Sequence, residues 1–204
     1  VFFWGPHTEA DDMDVRACKP LCAVNQWPRD FPRLYEDLIP YYEAVCQMAR
    51  HVMAAVAVSL DQPANFFDKA YAKPLARGQM VYYPASTLQD DAEARFGVAP
   101  HTDFGVLTVL LQDSSGGLQV RAKSGDWIEA PPIPGTLVCN IGDLLARRSN
   151  NRFTSTMHRV INRTSHARYS IPVFFDPNTD TVIDPVDLGV SAENSLFKPV
   201  CTGE

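Results

Sequence analysis

Cysteine is scarce in this chain. Its 204 residues hold five, Cys18, Cys22, Cys46, Cys139 and Cys201, an odd number scattered from end to end. A disulfide-stapled domain uses cysteine densely and evenly in a shorter chain, so a disulfide framework is excluded. Cys18 and Cys22 have the spacing of half a zinc site, but no second pair or nearby histidine completes it. Positive charge is also in deficit: 18 Lys plus Arg stand against 24 Asp plus Glu, a formal net charge of -6. A nucleic-acid surface is normally basic, so a nucleic-acid partner is not expected. No apolar run approaches the roughly 20 residues of a membrane helix, so a membrane partner is not expected either. The opening Val1-Phe2-Phe3-Trp4-Gly5-Pro6 has neither the charged start nor the cleavage site of a signal peptide. With the sparse cysteines, these features give a reducing, cytoplasmic location as the expectation.

What is present is ordinary for a globular domain. Apolar residues make up 46% and charged residues 21%, and the length suits one domain with a sizeable core. Residues 1–32 read as an irregular arm, interrupted by Pro6, Pro20, Pro28 and Pro32 yet carrying Trp4, Leu21, Trp27 and Phe31. From about Leu34 to Leu60 the spacing turns helical, with Val45, Met48, Ala49, Val52, Met53 and Val56 on one stripe. Pro40 is expected to start or bend this helix, because it has no N–H to donate.

After Tyr83-Pro84 come short apolar runs separated by turn residues. Gly105–Leu111, Gly117–Val120, Trp127-Ile128, Thr136–Ile141, Met157–Asn162 and Tyr169–Phe175 read as strands. A long helix followed by many strands predicts an α+β fold around one β core, a sandwich or closed barrel with a jelly roll among the candidates. The division expected is an arm and supporting helix over 1–80 and a β core over 81–204, forming one structural unit.

Three residues of two types at the right places suggest a metal. In an extended segment His101 and Asp103 project to the same face. His158 lies on another predicted strand and would supply a third ligand. Two histidines and one carboxylate, leaving other positions open, form the arrangement of non-haem Fe(II) oxygenases. His7, His51 and His166 read as structural or exposed. On a further strand, Arg168 and Ser170 share a face, where a guanidinium and a hydroxyl can hold a carboxylate.

The ordered set His101-x-Asp103, Gly116-Gly117-Leu118-Gln119-Val120, Asn140-Ile141-Gly142-Asp143, His158-Arg159-Val160 and Arg168-x-Ser170 resembles one family. It is similar to the isopenicillin N synthase-like branch of the 2-oxoglutarate/Fe(II)-dependent dioxygenases, most densely over Tyr82–Pro177. The resemblance implies a double-stranded β-helix, a distorted jelly roll, with Fe(II) held by His101, Asp103 and His158. It implies that Arg168 and Ser170 hold the distal carboxylate of the cosubstrate 2-oxoglutarate, with help from the Tyr83 hydroxyl. Catalysis is then metal-centred: dioxygen, 2-oxoglutarate and a small organic molecule react, with ascorbate as an additional reductant. Hydroxylation is the expected outcome, with desaturation or cyclisation as variants. Relatives that dispense with 2-oxoglutarate, and a non-catalytic jelly-roll domain that binds a metal or ligand, are the alternatives. The resemblance implies that Asn140–Asp143 set a turn near the site.

Two departures from the family pattern stand out. Val81 replaces an asparagine common before the tyrosine pair, which removes one polar contact to the cosubstrate. The chain also starts near the family's usual second quarter and ends soon after Pro199-Val200, so it is expected to be a shortened member or a portion of a longer chain. Substrate choice is assigned to the arm 1–32, the loop 85–100, and side chains such as Phe104 and Phe175.

Overall fold

A computed structural model describes residues 1–86 and 97–203. The strands, in chain order, are β1 (Phe2–Trp4), β2 (Leu75–Tyr83), β3 (Val98–His101), β4 (Leu107–Gln112), β5 (Leu118–Arg121) and β6 (Trp127–Glu129). They continue with β7 (Val138–Ile141), β8 (His158–Val160), β9 (Arg168–Asp176), β10 (Val182–Ile183) and β11 (Val200–Cys201). Three α-helices are described: α1 (Met13–Arg16), α2 (Arg33–Ser59) and α3 (Asp143–Arg148).

The fold is mixed α and β, with antiparallel pairing throughout the described strands. One sheet has the order β1-β2-β9-β4-β7 and the other β3-β8-β5-β6, with β10 and β11 as a separate pair. From β2 to β9 the chain passes back and forth between the two large sheets, staying in one only for the β5–β6 hairpin, the course of a jelly roll. That course brings sequence-distant strands side by side, β3 beside β8 and β2 beside β9.

Helix α2 has a buried stripe, Leu38, Tyr42, Val45, Ala49, Met53, Val56 and Ala57, at intervals of three and four residues. The stripe joins Leu107, Val109, Val173 and Phe175 in the main hydrophobic cluster. These sheet residues alternate with Thr108, Arg168 and Ser170, so the main core lies on the outer face of the first sheet. Two tyrosines fasten the helix there: Tyr41 Oη donates to the Ile171 carbonyl at 3.1 Å and Tyr42 Oη to the Ala76 carbonyl at 3.0 Å. A smaller cluster of Tyr83, Leu118 and Val160 lies between the sheets.

Three expectations need correction. Pro40 lies inside α2, which begins seven residues earlier at Arg33. The packing of Leu38, Tyr42 and Val45 on the sheet holds both sides of the proline helical despite its missing donor. The arm is not wholly irregular, because Phe2–Trp4 adds a strand to the edge of β2. Phe175 is fully buried and stacks on Tyr71 at 4.9 Å. It therefore belongs to the core, not to a substrate wall.

Candidate metal centre and cosubstrate pocket

His101 closes β3 and His158 opens β8, and the two residues are register partners. Their rings lie 4.2 Å apart between centroids. Asp103 follows β3 after one residue. Its Oδ1 lies 3.7 Å from the Nε2 of each histidine, and one ligand atom from each of the three residues falls within 4.8 Å of the others.

Hydrogen bonds behind these atoms fix their orientation. His101 Nδ1 meets the Ala99 carbonyl at 2.8 Å and His158 Nδ1 the Thr156 carbonyl at 3.0 Å. A carbonyl only accepts, so both Nδ1 atoms carry a proton, and Nε2 is the ring nitrogen of each that faces Asp103 and could bind a metal. Asp103 Oδ2 accepts from Thr108 Oγ1 at 2.6 Å and from Asn140 Nδ2 at 2.8 Å, which leaves Oδ1 as the free oxygen.

Helix α3 braces the segment from behind. The Asp143 N–H donates to the Asp103 carbonyl at 2.8 Å and the Leu144 N–H to the Gly105 carbonyl at 3.0 Å. Gly142 allows this approach, since a Cβ there would sit 2.1 Å from the Gly105 carbonyl oxygen. Asp143 also accepts from Thr102 Oγ1 at 3.1 Å.

Arg168 is fully buried on β9 and is the register partner of Tyr83 on β2. Its Nε donates to the Gly116 carbonyl at 2.6 Å and its Nη2 to Gln112 Oε1 at 3.3 Å. Its guanidinium carbon stands 4.8 Å from the centre of the Tyr83 ring. Nη1 is buried with no hydrogen-bond partner among the described residues. Ser170 Oγ lies beside it on the same strand face, 3.4 Å from Tyr83 Oη. An unpartnered buried guanidinium nitrogen is costly, and with two hydroxyls nearby it can receive a carboxylate. Val81 and Gln112 flank Ser170 in register, so an apolar and an amide side chain border that position.

Asp113 stands at the end of this group. Its burial pushes the carboxyl upward, but N–H bonds from Tyr169 and Ser115 and the nearby Arg168 charge outweigh that effect and hold it below the ordinary range.

Known proteins with similar sequences and structures decide the family. Residues 78–177 match the 2OG-Fe(II) oxygenase superfamily. The 2-oxoglutarate-Fe(II) type oxidoreductase hxnY of Emericella nidulans is 43% identical over 162 residues, covering 78% of this chain and 46% of the relative. A homoarginine-6-hydroxylase of Glycine max is 39% identical over 201 residues, covering 95% of this chain and 60% of the relative. A full-length Neurospora crassa protein solved with alpha-KG and thymine superposes with a TM-score of 0.86 at 29% identity, covering 98% of this chain and 61% of that one. The chain belongs to the 2OG-Fe(II) oxygenase superfamily.

The chain spans about half the length of these curated relatives. Its donor set suits the metal of the superfamily: two imidazole nitrogens and one carboxylate oxygen, of the hardness ferrous iron accepts. The unpartnered Arg168 Nη1 suits the far carboxylate of 2-oxoglutarate. The structure brings His101, Asp103 and His158 together, and Tyr83, Arg168 and Ser170 together. Sequence reasoning missed Thr108 and Asn140 on Asp103, and Gln112 and the Gly116 carbonyl on Arg168. Asn140 and Gly116 stand in motifs already singled out, but without a fold their partners could not be named. The loop expected over 85–100 falls largely on 87–96, outside the described residues.

Proposed function

We propose that this chain oxidises a small organic molecule in an Fe(II)- and 2-oxoglutarate-dependent reaction, with His101, Asp103 and His158 holding the iron. Arg168, Ser170 and Tyr83 hold the far carboxylate of 2-oxoglutarate. The overall reaction consumes the substrate, dioxygen and 2-oxoglutarate and gives hydroxylated product, succinate and carbon dioxide. The bound iron supplies dioxygen activation. The chain's own residues supply position and enclosure. The two Nδ1-anchored imidazoles and the twice-anchored carboxylate would hold the iron. Tyr83, Leu118 and Val160 form a small apolar cluster on the strands that carry these residues.

The observation that carries this reading is the unpartnered, fully buried Arg168 Nη1. A domain that only bound a metal would have no need of it, and it favours 2-oxoglutarate dependence over the cosubstrate-independent alternative. The jelly roll is read further as a double-stranded β-helix, of the isopenicillin N synthase-like branch. We take residues 1–80 as the arm and supporting helix and 81–204 as the core. Strand β2 runs through that boundary, which supports reading them as one unit. Among the described residues no helix is long and apolar enough to cross a membrane; the sparse cysteines are what support a cytoplasmic location for an enzyme acting on a small-molecule substrate.

The test is anaerobic addition of Fe(II) with and without 2-oxoglutarate, recorded as the visible metal-to-ligand charge-transfer band. The band is expected only with both additions, and is expected to vanish in His158→Ala. Arg168→Ala is expected to need far more 2-oxoglutarate while binding iron as before. Bound iron without a band would overturn 2-oxoglutarate dependence, and no bound iron would overturn the metal assignment.

A further inference from the structure

The structure assigns Gln119 a positioning role: from the outer face of the β3-β8-β5-β6 sheet it holds strand β8, and with it His158, in register for the metal. This inference rests on the metal assignment and adds side chains that lie on the opposite face of the sheet from the ligands. Gln119 and Arg159 stand in two motifs, Gly116–Val120 and His158–Val160, that the metal ligands and the cosubstrate pocket leave only partly explained. Side chains alternate across a strand. On β8, Val160 joins the small cluster between the sheets and His158 shares its side, so Arg159 points outward. On β5, Leu118 joins the same cluster, so Gln119 points outward beside Arg159.

Gln119 is the register partner of Arg159 on one side and of Glu129 on the other. The three side chains form a hydrogen-bonded row across β8, β5 and β6. Arg159 Nε donates to Gln119 Oε1 at 2.7 Å, and Gln119 Nε2 donates to Glu129 Oε1 at 2.6 Å. A guanidinium only donates and a carboxylate only accepts, so the middle member must do both, and an amide does. Each bond has one ionised end, and the cation and the anion polarise the amide between them in the same sense. Gln119 is 7% exposed, so its amide has little water to turn to instead. Arg159 is braced a second time by Trp127, whose ring centre lies 4.0 Å from the guanidinium carbon.

Strand β8 is only three residues long, and its two neighbours support it unequally. On the β3 side Val98 pairs with Val160 and His101 with His158, so three steps along β3 match two along β8. Ala99 and Pro100 therefore bulge opposite Arg159, and Pro100 has no N–H to lend. On the β5 side the pairing is regular. It is flanked by the Ile161 N–H on the Gly117 carbonyl at 2.9 Å and the Arg121 N–H on the Met157 carbonyl at 2.8 Å. The row of Arg159, Gln119 and Glu129 crosses the middle of that ladder. A slip of one residue would turn His158 to the outer face and Arg159 towards the metal ligands, and the row holds against it. His101 is the register partner of His158, so both imidazoles depend on where β8 lies.

The experiment titrates the full chain with Co(II) and records its d–d absorption, whose intensity follows coordination geometry. Hydrogen exchange of the metal-free protein is measured beside it, on peptides over residues 155–162 and over α2. Gln119→Leu keeps much of the side chain's bulk but offers no hydrogen bond. It is expected to weaken Co(II) binding about tenfold, to change the absorption per bound metal, and to speed exchange over 155–162 while α2 exchanges as in the parent. Exchanging the two partners, Gln119→Glu with Glu129→Gln, rebuilds the row with the carboxylate next to Arg159 and is expected to return all three readouts to those of the parent. Glu129 is exposed, so Glu129→Ala keeps the test in hand if Gln119→Leu does not fold, with a smaller change of the same kind expected. Parent-like metal binding and exchange in these variants would overturn the role of Gln119, and so would an exchanged pair as weak as Gln119→Leu. Faster exchange in α2 and in 155–162 alike would overturn it too, because the loss would then be one of general stability. If the parent takes up no Co(II), the metal assignment fails instead, and the exchange of the metal-free protein still decides whether Gln119 holds β8.

Discussion

Thr108 Oγ1 donates to Asp103 Oδ2 at 2.6 Å, the shortest of the contacts that orient the metal-ligand group. Thr108 stands opposite Asn140 in the β4–β7 pair, and Asn140 donates to the same oxygen. A cross-strand pair in one sheet therefore holds the carboxylate that follows a strand of the other sheet. Its two donors take Oδ2 and leave Oδ1 equidistant, at 3.7 Å, from the Nε2 atoms of His101 and His158.

Removing one of these donors should loosen the metal without unfolding the barrel. Thr108→Val keeps the shape of the side chain, and Fe(II) affinity is expected to fall about 10- to 100-fold. Adding Asn140→Leu should cost less than the product of the two single effects once the carboxylate is already free to turn. Anaerobic Fe(II) titration measures both. Unchanged affinity in Thr108→Val would show that the hydroxyl does not support the ligand.

The residues that carry chemistry were legible because their types are specific. Two histidines and an aspartate with the spacing of a facial triad, then Arg-x-Ser, point to a site when they stand in order with the other motifs of the family. Thr108 and Asn140 do not, because nothing in a threonine of an apolar run or an asparagine near a turn says which carboxylate it will meet. Strand parity was available and would have helped. With Arg168 and Ser170 on the inner face, Phe174 shares their side and Phe175 does not. The strand Phe2–Trp4 gives no alternation long enough to read, and it exists because the edge of β2 offers it a partner. The continuity of α2 through Pro40 likewise comes from packing on the sheet, which outweighs local preference.

Asp113 links acid stability to the cosubstrate strand. Its carboxyl is held below the usual value near 3.9 by the Tyr169 and Ser115 N–H groups and by Arg168. A depressed carboxyl contributes stability that is complete above its unfolded pKa and is lost as pH falls through the folded one. Asp113→Asn is therefore expected to be less stable than the parent at pH 7, with the difference narrowing in strongly acidic solution. Urea unfolding across a series from pH 7 down to about pH 3 checks this. A constant difference across the series would show that the charge plays no part.

Thiol reactivity should separate the cysteines by environment. Burial pushes the Cys46 thiol up to about 11, against the lowering effects of Tyr42 and Arg50. At pH 8 only about a thousandth of it is thiolate. Cys18 is exposed. Iodoacetamide followed by peptide mapping is expected to modify Cys18 early and Cys46 late, with the Cys46 rate rising about tenfold per pH unit up to pH 10. Equal rates at pH 8 would contradict the buried setting of Cys46 on α2.

Gly142 is the place where the smallest added group should do the most harm. An alanine Cβ there would stand 2.1 Å from the Gly105 carbonyl oxygen and 2.9 Å from that of Asp103. Both neighbours are backbone and neither can swing aside. They also receive the N–H groups of Asp143 and Leu144 that seat α3. Relief of the clash requires α3 to withdraw, which would take the support from the back of Asp103. Gly142→Ala is expected to cost about 3 kcal/mol, at the upper end for overpacking, and to lower the melting temperature by roughly 6–12 °C in a domain of this size. Fe(II) affinity should fall with it. Gly5→Ala is the control, since a Cβ there meets nothing closer than 3.9 Å, and a change within about 0.5 kcal/mol is expected. If Gly142→Ala melts with the parent, the close seating of α3 against the metal-ligand segment is wrong.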